Sequence, residues 1–438
     1  MLDTNAGSFQ ARVLPRPHSC VLMWKNAPLL LCITLGCTAE GSSGWDRLSS
    51  RTQVSESAGV DFLQLSLKSR TGRMEIQFLP VLSFGAPMMG GSYLENPVDL
   101  IVQSGGEMRV LDQGTHEIVF FDSLGREIRR AGRLGAGPGE LGEGLHWLLS
   151  GSEGTMYVPN PSFHRIDRFS SQGVYRSSSP LPFGSGPTLG YAVTDEGEVL
   201  RAASDLRKGP HGLGEFAQRV FIYSLKGDSA ALAGVLVVGR TPHTGLYVSM
   251  PVWAAGPGGY WVASNETSEV IRFDRFMVRR EIWQIPIAAE RIRRSDQGVL
   301  LDKAFDKLDR AVRSRAIAFL RARVPFARVY PRVSRIIIDP AGNLWINRSA
   351  TAKDITEGHA PGFSFDETGS VQWYVFDVHG TFVMIAFVPP GFILKRIVGG
   401  RLYGIGRTAE GEAVVQVLAS ARSMSEGGLN MKRGSDPQ

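Results

Sequence analysis

Apolar residues along this chain come in short runs, each closed by a polar turn and seldom in clean alternation. The pattern is clearest from Glu107 to Leu141. Met108–Leu111 and Glu117–Phe121 read as two strands, Asp122–Gly125 as a turn, Arg126 onward as a third strand, and Gly135, Gly137, Pro138 and Gly139 as a loop. Weaker copies follow. The aromatic-plus-turn element returns at Phe169–Gly173, Phe273–Phe276 and Phe376–Gly380, with upstream strands beginning at Met108, Met156, Tyr260 and Leu344. Phe121 and Phe169 are 48 residues apart, and the 104 residues from Phe169 to Phe273 leave room for a degenerate copy at Glu196–Leu200 and Val220–Ser224. A last copy lies at Gly399–Gly404 and Ala413–Leu418. A period of about 50 residues with about four short strands per copy predicts an all-β chain, a six-bladed β-propeller of four-stranded antiparallel blades. Sheets packed between two neighbours are apolar on both faces, which explains the mixed runs.

The last copy lacks an outer strand, and Arg73–Val81 is an orphan strand at the other end of the body. Met74–Phe78 is expected to pair beside Ala413–Leu418 and complete blade six, leaving no open edge. Between Phe273 and Phe376 the chain is about twice as long as one step needs, and Leu301, Phe305, Leu308, Val312 and Phe319 form a helical stripe with Pro325 beyond it. That predicts a helical insertion, 288–325, between blades four and five.

The ends read differently. Ala27–Gly36 is an apolar run of signal-peptide length with Lys25 before it, and Thr34–Cys37 resembles a bacterial lipoprotein cleavage box, although Thr34 stands where leucine is usual. The expectation is a signal and lipidation segment over 1–37 with acylation at Cys37, a true start near Met23, a flexible tether over 38–72, the propeller over 73–420 and a disordered tail over 421–438.

Composition narrows the chemistry. All three cysteines lie in the first 40 residues, so the 438-residue chain has no disulfide framework, thiolate metal site or cysteine nucleophile in its body. A net charge of +6 is too dilute to indicate nucleic acid. No nucleophile elbow, His-Glu-x-x-His or Walker loop is present.

The Phe-Asp-x-x-Gly turn, the loop Gly132-Arg133-Leu134-Gly135-x-Gly137-Pro138-Gly139-Glu140-Leu141 and the element Asp339-x-x-Gly342-x-Leu344-Trp345-Ile346 together resemble bacterial six-bladed β-propeller proteins related to NHL repeats. The resemblance covers roughly Glu75 to Ser420. It implies the fold and an exported, often lipid-anchored address, and it carries no assigned activity.

Four patterns remain as candidate chemistry. The Gly132–Gly144 loop could cradle phosphate, but Pro138 forbids a following helix and Glu140 and Glu143 oppose an anion, so it reads as an inter-blade turn. Asp112, Asn160, Asn265 and Asn347 follow the second strand of their copies and could ring the channel mouth, binding a polar ligand or a hard cation such as Ca²⁺, or could cap their own turns. His116 and His164 match in consecutive copies and read as turn residues. Arg291–Arg335 carries an excess of about nine positive charges, and Arg310, Arg313 and Arg315 are candidates to bind an anionic partner. The combined expectation is an exported, lipid-anchored propeller of the bacterial cell envelope. It binds an unidentified ligand or envelope protein without catalysis, meets the membrane through its anchor, and contacts no nucleic acid. The alternative is a metal-dependent lactonase, esterase or lyase with its site in the central channel.

Overall fold

The computed structural model describes residues 61–64, 75–87, 93–181, 188–194, 199–208, 214–226, 229–241, 251–264, 268–306, 308–323, 325–360 and 369–421. The expected export segment with Cys37, the residue Asn265 and the tail beyond 421 lie outside them. The described residues fall within one unit, Gln53–Gln438.

Strands β1 (Asp61–Gln64) and β2 (Glu75–Phe84) precede the repeats. The first four-stranded antiparallel sheet is β3 (Pro97–Val102), β4 (Met108–Asp112), β5 (Glu117–Phe121) and β6 (Glu127–Ala131). The second is β7 (Leu149–Ser150), β8 (Met156–Asn160), β9 (Arg165–Phe169) and β10 (Tyr175–Pro180), and the third is β11 (Thr188–Val193), β12 (Val199–Lys208), β13 (Gly214–Lys226) and β14 (Ser229–Thr241). The fourth contains β15 (Val252–Gly256), β16 (Gly259–Ser264), β17 (Glu269–Phe273) and β18 (Arg279–Gln284). Helices α1 (Arg294–Ala304) and α2 (Arg310–Arg323) come next. After them run β19 (Val333–Ile338), β20 (Leu344–Ser349), the short α3 (Ala352–Thr356), β21 (Gly369–Phe376) and β22 (Phe382–Phe387), then β23 (Ile393–Val398), β24 (Arg401–Arg407) and β25 (Ala413–Ser420). These last two groups share one sheet, joined through β2. The chain is thus mostly β, built of four-stranded antiparallel groups with few helices, as a propeller-type fold requires. Among the described residues, no helix is long and apolar enough to cross a membrane.

Successive side chains on a strand point to opposite faces, and here each face has its own core. Met108, Val110, Val119 and Phe121 pack against Tyr403, Ile405, Val415 and Val417 of the last group. Their neighbours Leu111, Ile118 and Phe120 pack the other way, onto Met156, Val158 and Phe169. Further cores join the second group to the third, the third to the fourth, the fourth to β19–β22, and β19–β22 to β23–β25. First strands also meet: β3 touches β23, and β7, β11, β15 and β19 touch in succession.

The repeated aromatic-plus-turn element has one physical form. The aromatic residue is buried: Phe121, Phe169, Phe273 and Phe376 are all within 3% of complete burial. The next residue folds the turn back on itself. Asp122 Oδ1 accepts the Leu124 and Arg126 N–H groups, as Asp274 does from Phe276 and Val278 and Asp377 from His379 and Thr381. Ser170 does this with its hydroxyl. Gly125 closes the first such turn at φ +77°, and a Cβ there would meet the Phe84 ring at 2.6 Å.

Three expectations change. The closing strand is β2, but only Phe78–Phe84 pairs with β25, antiparallel, while Glu75–Gln77 runs parallel to β22. The strand is therefore longer than Arg73–Val81, and its inner part lies C-terminal to Met74–Phe78. Asp61–Gln64, placed in the tether, instead forms β1 and pairs parallel with β18, whose free edge offers unpaired backbone groups. The helical region breaks in two at Phe305–Asp309. Asp309 caps the second helix through the Ala311 and Val312 N–H groups, which shifts the helix phase. Ile317 and Leu320 are then buried, and Phe319 is 42% exposed.

Candidate ligand-binding site

In each antiparallel group, the loop after the second strand and the link to the next group leave from the same end. Asp112 closes β4 there and is fully buried. Its Oδ1 accepts the Asn96 and Gly114 N–H groups and its Oδ2 accepts that of Glu95, at 2.7–3.0 Å. Asn160, also fully buried, accepts the Gly142 N–H and donates to Asp167 Oδ2 and the Glu140 carbonyl. Asn347 donates to the Ser370 and Gln372 carbonyls and accepts the Ser334 hydroxyl. The side-chain oxygens of these three residues are turned to protein donors, so they hold loops in place. Among the described residues, no group of three or more His, Cys, Asp or Glu side chains could hold a metal ion.

The glycine-rich link carries its own anion. Glu140 folds back so that one oxygen accepts the Gly137 N–H at 2.8 Å and the other takes Arg133 at 2.7 Å. The Gly137 N–H and Arg133 hold its carboxyl below the usual range. Arg165 binds the Ala136, Gly137 and Glu140 carbonyls and pairs with the buried Asp167. His116 Nδ1 lies 2.8 Å from the Gly142 carbonyl, which selects the tautomer with a proton on Nδ1. His116 and His164 share the left-handed turn conformation, as does Ser268 before β17. This loop is tied to both flanking sheets, with its Gly137 N–H given to Glu140 and its Gly142 N–H to Asn160.

A different cluster forms on the first strands. Register shifts fall in β3 at Pro97/Asp99, in β11 at Thr188/Gly190, in β19 at Val333/Arg335 and in β23 at Leu394/Arg396. A bulge re-aims the side chains around it, and in three of these strands the residue just past the shift is charged. Arg396 donates to Asp99 Oδ2 at 3.2 Å and to the Leu148 carbonyl at 3.0 Å. Asp99 also accepts the Leu148 and Leu100 N–H groups. Arg335 reaches the Leu394 carbonyl at 2.9 Å. The Arg396 side chain keeps 36% of its surface in solvent, whereas Asp99 keeps 6%. His146 lies close enough to feel Lys395: partial burial of its ring and that ammonium hold its pKa below the usual value. Its ring stands edge-on to Trp147 at 5.4 Å, and Trp147 edge-on to Tyr191 at 5.0 Å. Arg335, Arg396 and Asp99 thus meet around Leu394 and Leu148, with the Lys395 ammonium near the His146 ring.

Sequence reasoning missed this cluster, although a signal was present. A strand buried on both faces has no place for charge, yet Asp99 interrupts Pro97–Val102, Arg335 interrupts Val333–Ile338, and Lys395-Arg396 interrupts Ile393–Val398. A cavity of about 250 Å³ lies between the first and last groups at the β3–β4 and β5–β6 turns, away from this cluster, lined by Gln103, Ser104, Gly106, Ser123, Arg401 and Tyr403. Arg310 and Arg315 are exposed on α2 and Arg313 is half-buried there, apart from Leu394–Arg396 in sequence and in element.

No protein-family description matches the chain, and no curated protein does. Solved structures do resemble it. An exported-protein candidate from Bacteroides fragilis is 9% identical over 82% of this chain and 99% of its own, with a TM-score of 0.46. A member of the DUF4221 family from Bacteroides vulgatus is 11% identical over 80% and 99%, TM-score 0.49. A catalytically inactive virginiamycin B lyase from Staphylococcus aureus, solved with quinupristin, is 11% identical over 78% and 98%, TM-score 0.40. These neighbours are β-propeller-type proteins. At such identities the likeness concerns the fold alone.

Proposed function

We propose that this chain is an exported six-bladed β-propeller, lipid-anchored at Cys37 in the bacterial cell envelope, that binds an anionic ligand at the inner strands without catalysing a reaction. Supporting the blade number are six groups of strands, each sharing a core with the next, and β2 supplying the outer strand of the last. One observation carries the ligand class: Arg335, Lys395 and Arg396 outnumber Asp99 on the first strands, and their partial exposure leaves them within reach of an anion. An acidic sugar is a ligand of this class, its carboxylate matched to the cations. Asp112, Asn160 and Asn347 serve this site by fixing the surrounding loops, and the helical insertion adds a separate cationic surface through Arg310, Arg313 and Arg315.

The test is a thermal-shift and calorimetric series with sulfate, phosphate and galacturonate. Binding should raise the melting temperature of the wild type and be lost in Lys395→Met and Arg396→Gln variants that still fold. Binding unaltered by both substitutions would overturn the assignment. Labelling with a radioactive fatty acid, present in wild type and absent in Cys37→Ser, tests the anchor.

A further inference from the structure

The second cationic surface leads to a partner of different chemistry. Helix α2 has the sequence RAVRSRAIAFLRAR, with five arginines and no acidic residue. Ile317 and Leu320 hold it against Leu301, Phe305 and Phe326. Its outward side presents Arg310, Ala311, Ser314, Arg315, Ala318, Phe319, Arg321 and Ala322. Phe319 is 42% exposed, and Val329 in the following segment is 37% exposed.

Several arginines of the sheets and their turns are held by carboxylates. Arg126, Arg130, Arg133, Arg165, Arg272 and Arg280 each pair with a carboxylate. Among the described residues, the side chains of Arg310, Arg321 and Arg328 meet no carboxylate within salt-bridge distance, and Arg315 only approaches the Ala311 carbonyl of its own helix. An exposed cationic helix with small residues and a protruding phenylalanine can lie flat: its guanidinium groups reach phosphates while the ring enters the acyl boundary.

We infer that the outward face of α2 docks on an anionic lipid surface, with Arg310, Arg315 and Arg321 contacting headgroup phosphates and Phe319 inserted between lipids. This deepens the reading of the insertion as an anionic-partner surface and is independent of the inner-strand site. An acidic protein would be met by the same charges, but a lipid surface also takes up the exposed part of the Phe319 ring and the small alanines between the guanidinium groups.

The experiment uses the full chain as Cys37→Ser, so that no acyl chain contributes. Sedimentation with vesicles of phosphatidylglycerol and phosphatidylcholine should show at least tenfold tighter binding than with phosphatidylcholine alone. Reversing Arg310, Arg315 and Arg321 to Glu should abolish that preference, and Phe319→Ser should weaken binding several-fold, with circular dichroism unchanged in both. Equal binding to neutral vesicles, or an undiminished preference after charge reversal, would overturn the inference. Heparin, a soluble polyanion, is measured in parallel. Binding to heparin without binding to vesicles refutes the lipid partner and leaves the anionic surface standing; binding to neither refutes both. Retained galacturonate binding by the reversed variant separates these outcomes from the inner-strand site.

Discussion

The first sheet and the helical segment contain similar residues used in opposite ways. In β3–β6 the large aromatic groups are inside and the arginines are tied: Phe121 is 1% exposed and packs on Phe84 with ring centroids 4.6 Å apart, and Arg130 bridges Glu117 and Glu127. In α2 Phe319 is 42% exposed and, among the described residues, Arg310, Arg315 and Arg321 meet no carboxylate. Residue type is therefore a poor guide to role in this chain. What matters is whether a neighbouring sheet supplies a core for the ring and an adjacent strand or turn supplies a carboxylate for the cation. A sheet clamped between two others uses its side chains internally, whereas a helix packed on one side, against α1 and Phe326, has a face left over.

The sharpest test sets one phenylalanine against the other. Phe121→Ala should cost about 3–5 kcal/mol in denaturant unfolding, because a filled inter-sheet core is emptied. Phe319→Ala should change stability by no more than about 0.5 kcal/mol. A comparable loss for both would erase the distinction. Next in size is Asp99→Ala, which removes the carboxylate partner of Arg396 and leaves the Leu148 N–H without its acceptor; about 1–3 kcal/mol is expected, read as a lower midpoint without a changed slope.

A smaller effect belongs to Asp354, which caps α3. Burial raises its carboxyl, but Arg348 and the Thr351 N–H and hydroxyl outweigh it and hold the pKa below the ordinary value. A depressed folded pKa means that the stabilisation is complete above the unfolded value of about 3.9 and is lost as pH falls through the folded one. The wild-type melting temperature should therefore fall more steeply than that of Asp354→Asn below about pH 4; parallel curves would remove this contribution. Smallest is the titration of His146. Its nuclear magnetic resonance midpoint should lie below about 6.5 and rise in Lys395→Met. The sign of the linkage is that His146 favours folding above its unfolded pKa and loses that contribution as pH falls. An unmoved midpoint would place Lys395 away from the ring.

Much of the architecture could be read from residues. The Phe-Asp-x-x-Gly turn was legible because all its causes are local: an aromatic that must be buried, a carboxylate that caps the next N–H groups, and a glycine that accepts positive φ. The orphan strand was legible because an incomplete repeat demands a partner. Its register was not, since β2 is shared between β22 and β25 and only their positions divide it. The helical stripe was misphased because a capping aspartate in mid-sequence, Asp309, looks like any surface charge until the break is seen.

The sequence by itself determined the period, the turns and the all-β character of this protein, because those depend on contacts within a few residues or on burial summed over a strand. Tertiary structure alone decided that Asp99, Arg335, Lys395, Arg396 and His146 meet, since they come from four stretches brought together by bulges whose register no local pattern specifies. It decided as well that Phe319 faces solvent while Phe121 does not. Orientation of a side chain toward core or surface is fixed by what packs on the other side, and that neighbour is distant along the chain.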